Sequence, residues 1–397
     1  MIFTKAFIPY KGYYSTPFCR WQGSFANENA ISLAAQVSKI FLNKKNIDVN
    51  QLNYLIFGNT IGQHHQFYSS PWAAALLGAK ALPAIAISQA CTTGATCINQ
   101  AAMGVEQGLY EMPYVLTADR CSNGPHTIWP NPKGPGGEVI SENWNMDNFN
   151  SDPNTGQKMV ESAENVAKLG GFTKEECDEL GLHRYEQYLK ALDNDRGFQK
   201  EYMEPVDIKV SKRETVTIEK DEGITPSTKE GLSKLKPIVP GGILSFGVQT
   251  HPADGNAGVL VTTKEKADQI SADTSVTIQI VSYGYARVKK AHMPAAPVPA
   301  TRMALQNAGL DIKDISVIKT HNPFIVNDLY FAKEMGINAE SFNNFGSSMI
   351  FGHPQGPTAT RLIIEGIEET VLKGGGYFLW TGCAAGDCGA ALILKIN

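Results

Sequence analysis

Residues 84–108, AIAISQACTTGATCINQAAMGVEQG, set the architecture of this chain. Residues 84–89 form a short apolar run of strand length that leads straight to Cys91. Residues 92–107 are small or apolar on nearly every side, the pattern of a helix buried all round, and Gly108 follows as a stop. Residues 114–118 resume as strand; upstream, 53–59 (NYLIFGN) reads as a buried strand and 71–79 as a short helix of small residues. The same order returns near the other end, with strand at 316–319, helix at 358–372, a stop at 373–376 and strand at 377–380. The two copies align at one point. Cys91-Thr92-Thr93-Gly94 and His353-Pro354-Gln355-Gly356 each place a reactive side chain three residues before a glycine that opens a helix. Such a duplication brings both helix starts toward one centre, and helices alternating with strands predict α/β layers.

Length and charge narrow the function classes. The chain has 397 residues, 43% of them hydrophobic, with 35 Lys+Arg against 39 Asp+Glu. At roughly 100 to 200 residues per domain this predicts two or three packed units. A net charge of −4 leaves no electrostatic footprint for nucleic acid. No apolar run reaches the roughly 18 residues of a membrane helix, and MIFTKAFIPYKGYYSTPF is too polar for a signal peptide, so a cytoplasmic, membrane-free protein is expected. Seven cysteines, without a C-x-x-C pair, fit free thiols better than a disulfide framework or a structural zinc site. His64 and His65 in GQHHQFYSSPW are adjacent and lack a third ligand nearby, so no metal is expected.

Between the halves, residues 119–250 change character. Gly, Pro, Asn and Trp crowd HTIWPNPKGPGGEVISENWNMDNFNSDPNTG, and a charged helical stretch follows. This reads as an inserted cap, with 1–118 plus 251–273 as one half and 274–397 as the other. Long irregular segments inside compact proteins are commonly functional, and Trp129, Trp144 and Phe149 favour a packed, ligand-facing loop.

Cys91 stands where a strand gives way to a helix, so unpaired N–H groups and the helix dipole favour its thiolate and make it a candidate nucleophile. A small buried apolar cysteine is the competing explanation. The glycine and threonines beside it point to a backbone that must approach a substrate closely.

SQACTTGATCINQAA, SAENVAKLGGFTKEECDELGLHRYEQY, FGHPQGPTATR and TGCAAGDCGAALIL together resemble the thiolases, in matching order over nearly the whole chain. The resemblance implies a five-layered αβαβα body with an inserted cap, assembled as a dimer or higher oligomer. It implies that Cys91 becomes acylated, that His353 activates it, and that Cys383 is a second, acid/base cysteine. His321, in THNPF, falls where most thiolases have the asparagine of an Asn-Glu-Ala-Phe motif that holds an oxyanion-hole water; Asn322 is the alternative for that role. The acyl-enzyme oxygen would be held by the N–H groups of Cys91 and Ala385, although Ala384 and Ala385 stand where glycines are usual. Thr250 in GVQTHPADGNAG takes the place of a serine that contacts the CoA pantetheine. Coenzyme A is then a substrate, with no bound cofactor.

The chemistry accounts for these residue types. Cleaving a 3-oxoacyl-CoA requires a soft nucleophile that attacks a ketone and later leaves as a thioester, and a thiolate does both. The departing enolate needs preorganised donors at oxygen and an acid of thiol-like pKa at carbon. Trp72, Trp129, Trp144 and Phe149 are either plain packing, the commoner case for aromatics, or the lining of a pocket for a bulky or aromatic acyl group. The resemblance extends to thiolases of aromatic degradation such as benzoylsuccinyl-CoA thiolase, and that subtype implies a small zinc-containing OB-fold partner. Two other readings compete. One is a condensing enzyme like HMG-CoA synthase, against which Cys383 argues; the other is a thiolase-like subunit that binds CoA esters without turning them over.

Overall fold

The computed structural model describes residues 1–397. Two mixed sheets carry the duplicated halves. The first runs in the order Tyr13–Ser15, Ala253–Leu260, Pro113–Arg120, Tyr54–Gly58, Ala84–Ile87, with Cys19–Arg20 also paired to Ala253–Leu260. The second runs Phe7–Ile8, Ile278–Arg287, Cys388–Ile396, Gly376–Ala384, Ile315–His321. Apart from Phe7–Ile8, its strands repeat the connectivity of the first sheet, without a counterpart to the edge strand Ala84–Ile87. Phe7–Ile8, from the start of the chain, pairs antiparallel with Ile278 and Gln279 of the other half.

The helices Thr93–Glu106 and Gly356–Leu372 lie side by side between the sheets. Ala95, Ile98, Ala102, Leu362, Ile363 and Ile367 join the core residues of both sheets around them. Ala30–Lys44 and Ser69–Leu77 cover the outer face of the first sheet, while Pro297–Ala308 and Ile325–Met335 cover the second. The order is αβαβα. A glycine at 94 makes the central contact tight: a Cβ there would sit 2.7 Å from the Thr360 nitrogen and 2.8 Å from the Gly356 carbonyl. The sequence assigned this glycine to substrate approach; its steric need is helix packing.

The second central helix carries charges into the interior, and each finds a partner. Arg361 grips Asp221 at 2.6 and 2.8 Å and Glu365 at 3.0 Å. Lys11 meets Glu368 at 2.7 Å. Burying such groups is tolerable only when they are paired.

Residues between Pro113–Arg120 and Ala253–Leu260 form four helices, Trp144–Asn150, Met159–Gly170, Lys174–Lys200 and Lys229–Lys234, and two hairpins, His126–Pro130 with Val139–Asn143 and Val206–Lys209 with Thr215–Ile218. Val160, Ala163, Leu180 and Val248 of this segment pack with Phe324, Met349 and Cys383, roofing the second half. Buried Arg184 locks the roof down through Asp328 at 2.9 Å. No helix is long and apolar enough to cross a membrane.

Candidate active site

The chain reaches Cys91 through a single tight turn, Ala90–Thr92, immediately before the helix Thr93–Glu106. The neighbouring threonines staple this turn: Thr92 Oγ1 donates to the Gln89 carbonyl at 3.1 Å and Thr93 Oγ1 to the Ala90 carbonyl at 2.7 Å. Ala90 is held at φ 45°, a left-handed conformation that non-glycine residues adopt only when their surroundings impose it. Cys91 is 8% exposed. Burial pushes its thiol up to about 12, against the opposing pull of the Ala385 and Cys91 N–H groups. The helix start therefore does not deliver a resting thiolate. Desolvation outweighs these N–H groups, and the thiol rests neutral.

Opposite it, His353 ends an extended approach pinned by its own N–H on the His251 carbonyl at 2.9 Å. Its Nδ1 is hydrogen bonded to Thr358 Oγ1 at 2.6 Å, and its Nε2 has no partner. Burial lowers this imidazole to about 3, so it is neutral throughout the ordinary pH range. His321 closes the strand Ile315–His321, with Nδ1 on Ser348 Oγ at 2.8 Å and Nε2 again unpartnered. Burial, and then the neighbouring His353, hold it well below the ordinary imidazole range. The two rings lie 4.2 Å apart between centroids.

Register brings in the second cysteine. His321 pairs in parallel with Gly382, which sets Cys383 one residue beyond it on the adjacent strand. Asn327 Nδ2 donates to the Cys383 sulfur at 3.1 Å. Burial, followed by the Cys91 sulfur, drives the Cys383 thiol well above its usual value, with the Asn327 amide opposing. The turn after it places positive φ on Gly386 and Asp387 rather than on the alanines, so Ala384 and Ala385 fit without strain.

Asn322 is fully engaged elsewhere. Its Nδ2 donates to Asp328 at 2.7 Å and to Ser347 at 3.1 Å, and its Oδ1 accepts from Met349 N at 3.1 Å and Ser348 Oγ at 3.2 Å. Of the two candidates in THNPF, only His321 keeps a free polar atom. Thr250 donates its hydroxyl to the Ser348 carbonyl at 2.6 Å, beside the same loop.

The aromatic residues are more dispersed. Trp72 packs on the outer core of the first half, edge-on to His65. Trp129 lies on the exposed hairpin, its indole N–H on Glu142 at 2.8 Å. Trp144 and the half-buried Phe149 share the helix Trp144–Asn150, and the Trp144 indole donates to the Thr60 carbonyl at 3.3 Å. From that helix Asn145 donates to the Cys121 carbonyl at 2.8 Å, and the Cys121 thiol donates to the His353 carbonyl at 3.7 Å.

Three residues at the centre escaped the sequence reading. The Gln355 amide oxygen accepts from the Cys91 thiol at 3.4 Å. Asn327 holds Cys383. Asp119 accepts from the N–H groups of Thr60, Ile61 and Gly356, each at 2.8 Å, tying the His353 loop to the first sheet. Burial raises its carboxyl to about 7. Gln355 alone had a sequence signal, since it lies inside the aligned His353–Gly356 segment.

The thiolase N-terminal domain matches residues 12–265 and the thiolase C-terminal domain residues 274–396. The chain is 29% identical to the acetyl-CoA acetyltransferase of Syntrophomonas wolfei, covering 96% of each chain, and 28% identical to that of Escherichia coli, covering 94% and 95%. It is 27% identical to the peroxisomal 3-ketoacyl-CoA thiolase B of Rattus norvegicus over 79% of this chain and 72% of that one. In fold it superposes on the Bacillus anthracis acetyl-CoA acetyltransferase with a TM-score of 0.92 at 24% identity, covering all of both chains. Human mitochondrial 3-ketoacyl-CoA thiolase in complex with CoA gives 0.90 at 24% identity, over 99% and 98%. With both domain families matched in order along almost its whole length, the chain belongs to the thiolases and is an acyltransferase of that family.

Proposed function

We propose that this protein cleaves a 3-oxoacyl-CoA with coenzyme A, or runs the reverse condensation, through an acyl-Cys91 intermediate. The observation that carries the reading is the convergence of Cys91 from one half with His321, His353 and Cys383 from the other. With Nδ1–H given to Thr358, His353 offers its Nε2 lone pair to the Cys91 proton. The sulfur then attacks the keto carbon. As the C–C bond breaks, its electron pair passes into the enolate of the departing CoA thioester. The new Nε2–H of His353, and a water held by His321, face that oxygen. Cys383 protonates the enolate carbon, and the resulting thiolate takes the proton of incoming CoA. CoA attacks the acyl-Cys91 thioester, whose oxygen is received by the N–H groups of Cys91 and Ala385, and Cys91 leaves with the proton from His353. Thr250 borders the pantetheine path.

We assign the acyl group to a bulky or aromatic class. The Trp144 helix supports this, because two hydrogen bonds through Asn145 and Cys121 link it to His353. The half-exposed edge strand Ala84–Ile87, with exposed Phe67 and Tyr68 nearby in sequence, supports a homodimer. The exposed Ile128, Trp129, Val139 and Ile140 of the hairpin favour a further protein contact, either another copy or a small OB-fold subunit. Seven free cysteines suit the cytoplasm.

The test is mass spectrometry after mixing the protein with acetoacetyl-CoA and with aromatic 3-oxoacyl-CoA esters, with CoA consumption followed in parallel. An acylated Cys91 peptide and turnover support the proposal. An unmodified Cys91 with every ester would favour the non-catalytic CoA-ester-binding reading, and turnover confined to small esters would remove the bulky-acyl assignment.

A further inference from the structure

The atoms that serve proton transfer also make a compact set of metal-ligating groups. The Cys91 sulfur and one ring nitrogen from each of His321 and His353 all lie within 4.8 Å of one another, and all three residues are buried. Because hydroxyls occupy both Nδ1 atoms, the atoms left free are the two Nε2 nitrogens. Ser348 gives its own proton to Asn322 Oδ1 at 3.2 Å, so toward His321 it accepts. That fixes the proton of His321 on Nδ1 and leaves Nε2 with a bare lone pair. A histidine whose Nδ1–H is tied to oxygen and whose Nε2 faces a thiol is arranged as zinc-binding histidines are. Sequence spacing could not reveal this set, since its members are residues 91, 321 and 353.

The geometry points to an inhibitory site for Zn²⁺ or a similar borderline-soft divalent cation, held by Cys91 Sγ, His321 Nε2 and His353 Nε2. The fourth position falls to water or to Gln355 Oε1, which already lies 3.4 Å from the sulfur. Zn–N bonds of about 2.0–2.1 Å and Zn–S bonds of about 2.3 Å at tetrahedral angles separate ligand atoms by roughly 3.3–3.6 Å. Closing the observed set onto an ion therefore needs side-chain movements of about 1 Å. Binding forms one S–Zn and two N–Zn bonds, releases the Cys91 proton to solvent and transfers no electron. A hard cation such as Mg²⁺ does not suit an N,N,S set. The ion would occupy the nucleophile and its base together, so bound metal and acylation exclude each other. The imidazole at 321, where most thiolases carry asparagine, supplies the third ligand.

The inference goes beyond the thiolysis reading, and its test does not need turnover. Chelator-treated protein is titrated with Co²⁺ alone and followed by its thiolate-to-cobalt charge-transfer and tetrahedral d–d absorption. We expect saturable binding stoichiometric with the chain and displaceable by Zn²⁺. His321→Asn removes a ligand and should weaken affinity by more than the roughly 10- to 100-fold that loss of an outer-shell partner alone costs, and the charge-transfer band should vanish in Cys91→Ser. Wild-type protein alkylated at Cys91 should lose the same band, which keeps the test valid if either variant misfolds. A charge-transfer band that survives alkylation, or unchanged Co²⁺ affinity in a folded His321→Asn protein, would overturn the site.

Discussion

The thiol of Cys91 donates a hydrogen bond to Oε1 of Gln355 at 3.4 Å, across the junction of the two halves. Gln355 itself sits at φ 62° and ψ −104°, so the acceptor is placed by a bend that a non-glycine residue adopts under constraint. An oxygen that accepts from S–H favours the thiol over the thiolate. Gln355→Leu should therefore release Cys91 toward ionisation. A net hydrogen bond of about 0.6–1.4 kcal/mol corresponds to roughly 3- to 10-fold faster alkylation by iodoacetamide at pH 8. A slower or unchanged rate would show that the amide does not restrain the thiol.

The pH profile of the same alkylation follows from the neutral resting pair. With Cys91 pushed up to about 12 and His353 lowered to about 3, there is no preformed thiolate–imidazolium couple near neutrality. The rate should rise about tenfold per pH unit from pH 7 to pH 10. A plateau setting in below pH 8 would mean that the couple already exists.

Cys383→Ser keeps the shape of the site but raises the acidity barrier at the enolate carbon. We expect turnover to fall by about 10²- to 10⁴-fold, while Cys91 remains alkylatable at a rate near that of the wild type. Activity within a factor of about three of wild type would remove Cys383 from the mechanism. Asn327→Leu, which removes the 3.1 Å donor to this sulfur, should lower turnover less than the Cys383 substitution does.

Acid should destabilise the protein through its two buried imidazoles. Both have folded pKa values below the unfolded one, so below about pH 6.5 the unfolded chain takes up protons that the folded chain refuses, and for His353 this window extends down to about pH 3. Stability thus rises with pH across that window and is lost as pH falls, by about 1.4 kcal/mol per unit through His353, with His321 acting in the same direction. His353→Asn should flatten the drop in Tm between pH 6.5 and pH 5; an unchanged slope would assign the acid limb to other groups.

The anchoring of the roof is testable through its buried ion pair. Asp328 receives Arg184 at 2.9 Å, Asn322 at 2.7 Å and Asn343 at 3.2 Å, all away from solvent. Asp328→Leu leaves the guanidinium uncompensated and should lower stability by about 3–5 kcal/mol, read from urea unfolding. Restoration by a second change, Arg184→Met, would show that the stranded charge causes the loss.

Much of the fold was legible because buried helices and strands print their periodicity, and because the second half repeats the order of the first. The places of Cys91, His353 and Cys383 beside a helix start or a strand end were legible in the sequence. The resting charge of Cys91 was not, since the desolvation that governs it depends on what the roof and the opposite half lay over it. Gln355, Asn327 and Asp119 stayed hidden for a related reason: each acts through a partner more than 50 positions away. Which of His321 and Asn322 keeps a free polar atom was equally hidden, because hydrogen-bond satisfaction becomes countable only when Ser347, Ser348 and Asp328 are placed around them.

The close helix contact at Gly94 couples the two reactive ends mechanically. Because the Thr360 hydroxyl, the Thr360 nitrogen and the Gly356 carbonyl all lie directly against Gly94, the helix after the nucleophile and the helix after the base abut at their starts. A single extra methyl there would push the two helices apart without altering any reacting atom, so a change at position 94 would shift the nucleophile and the base relative to each other.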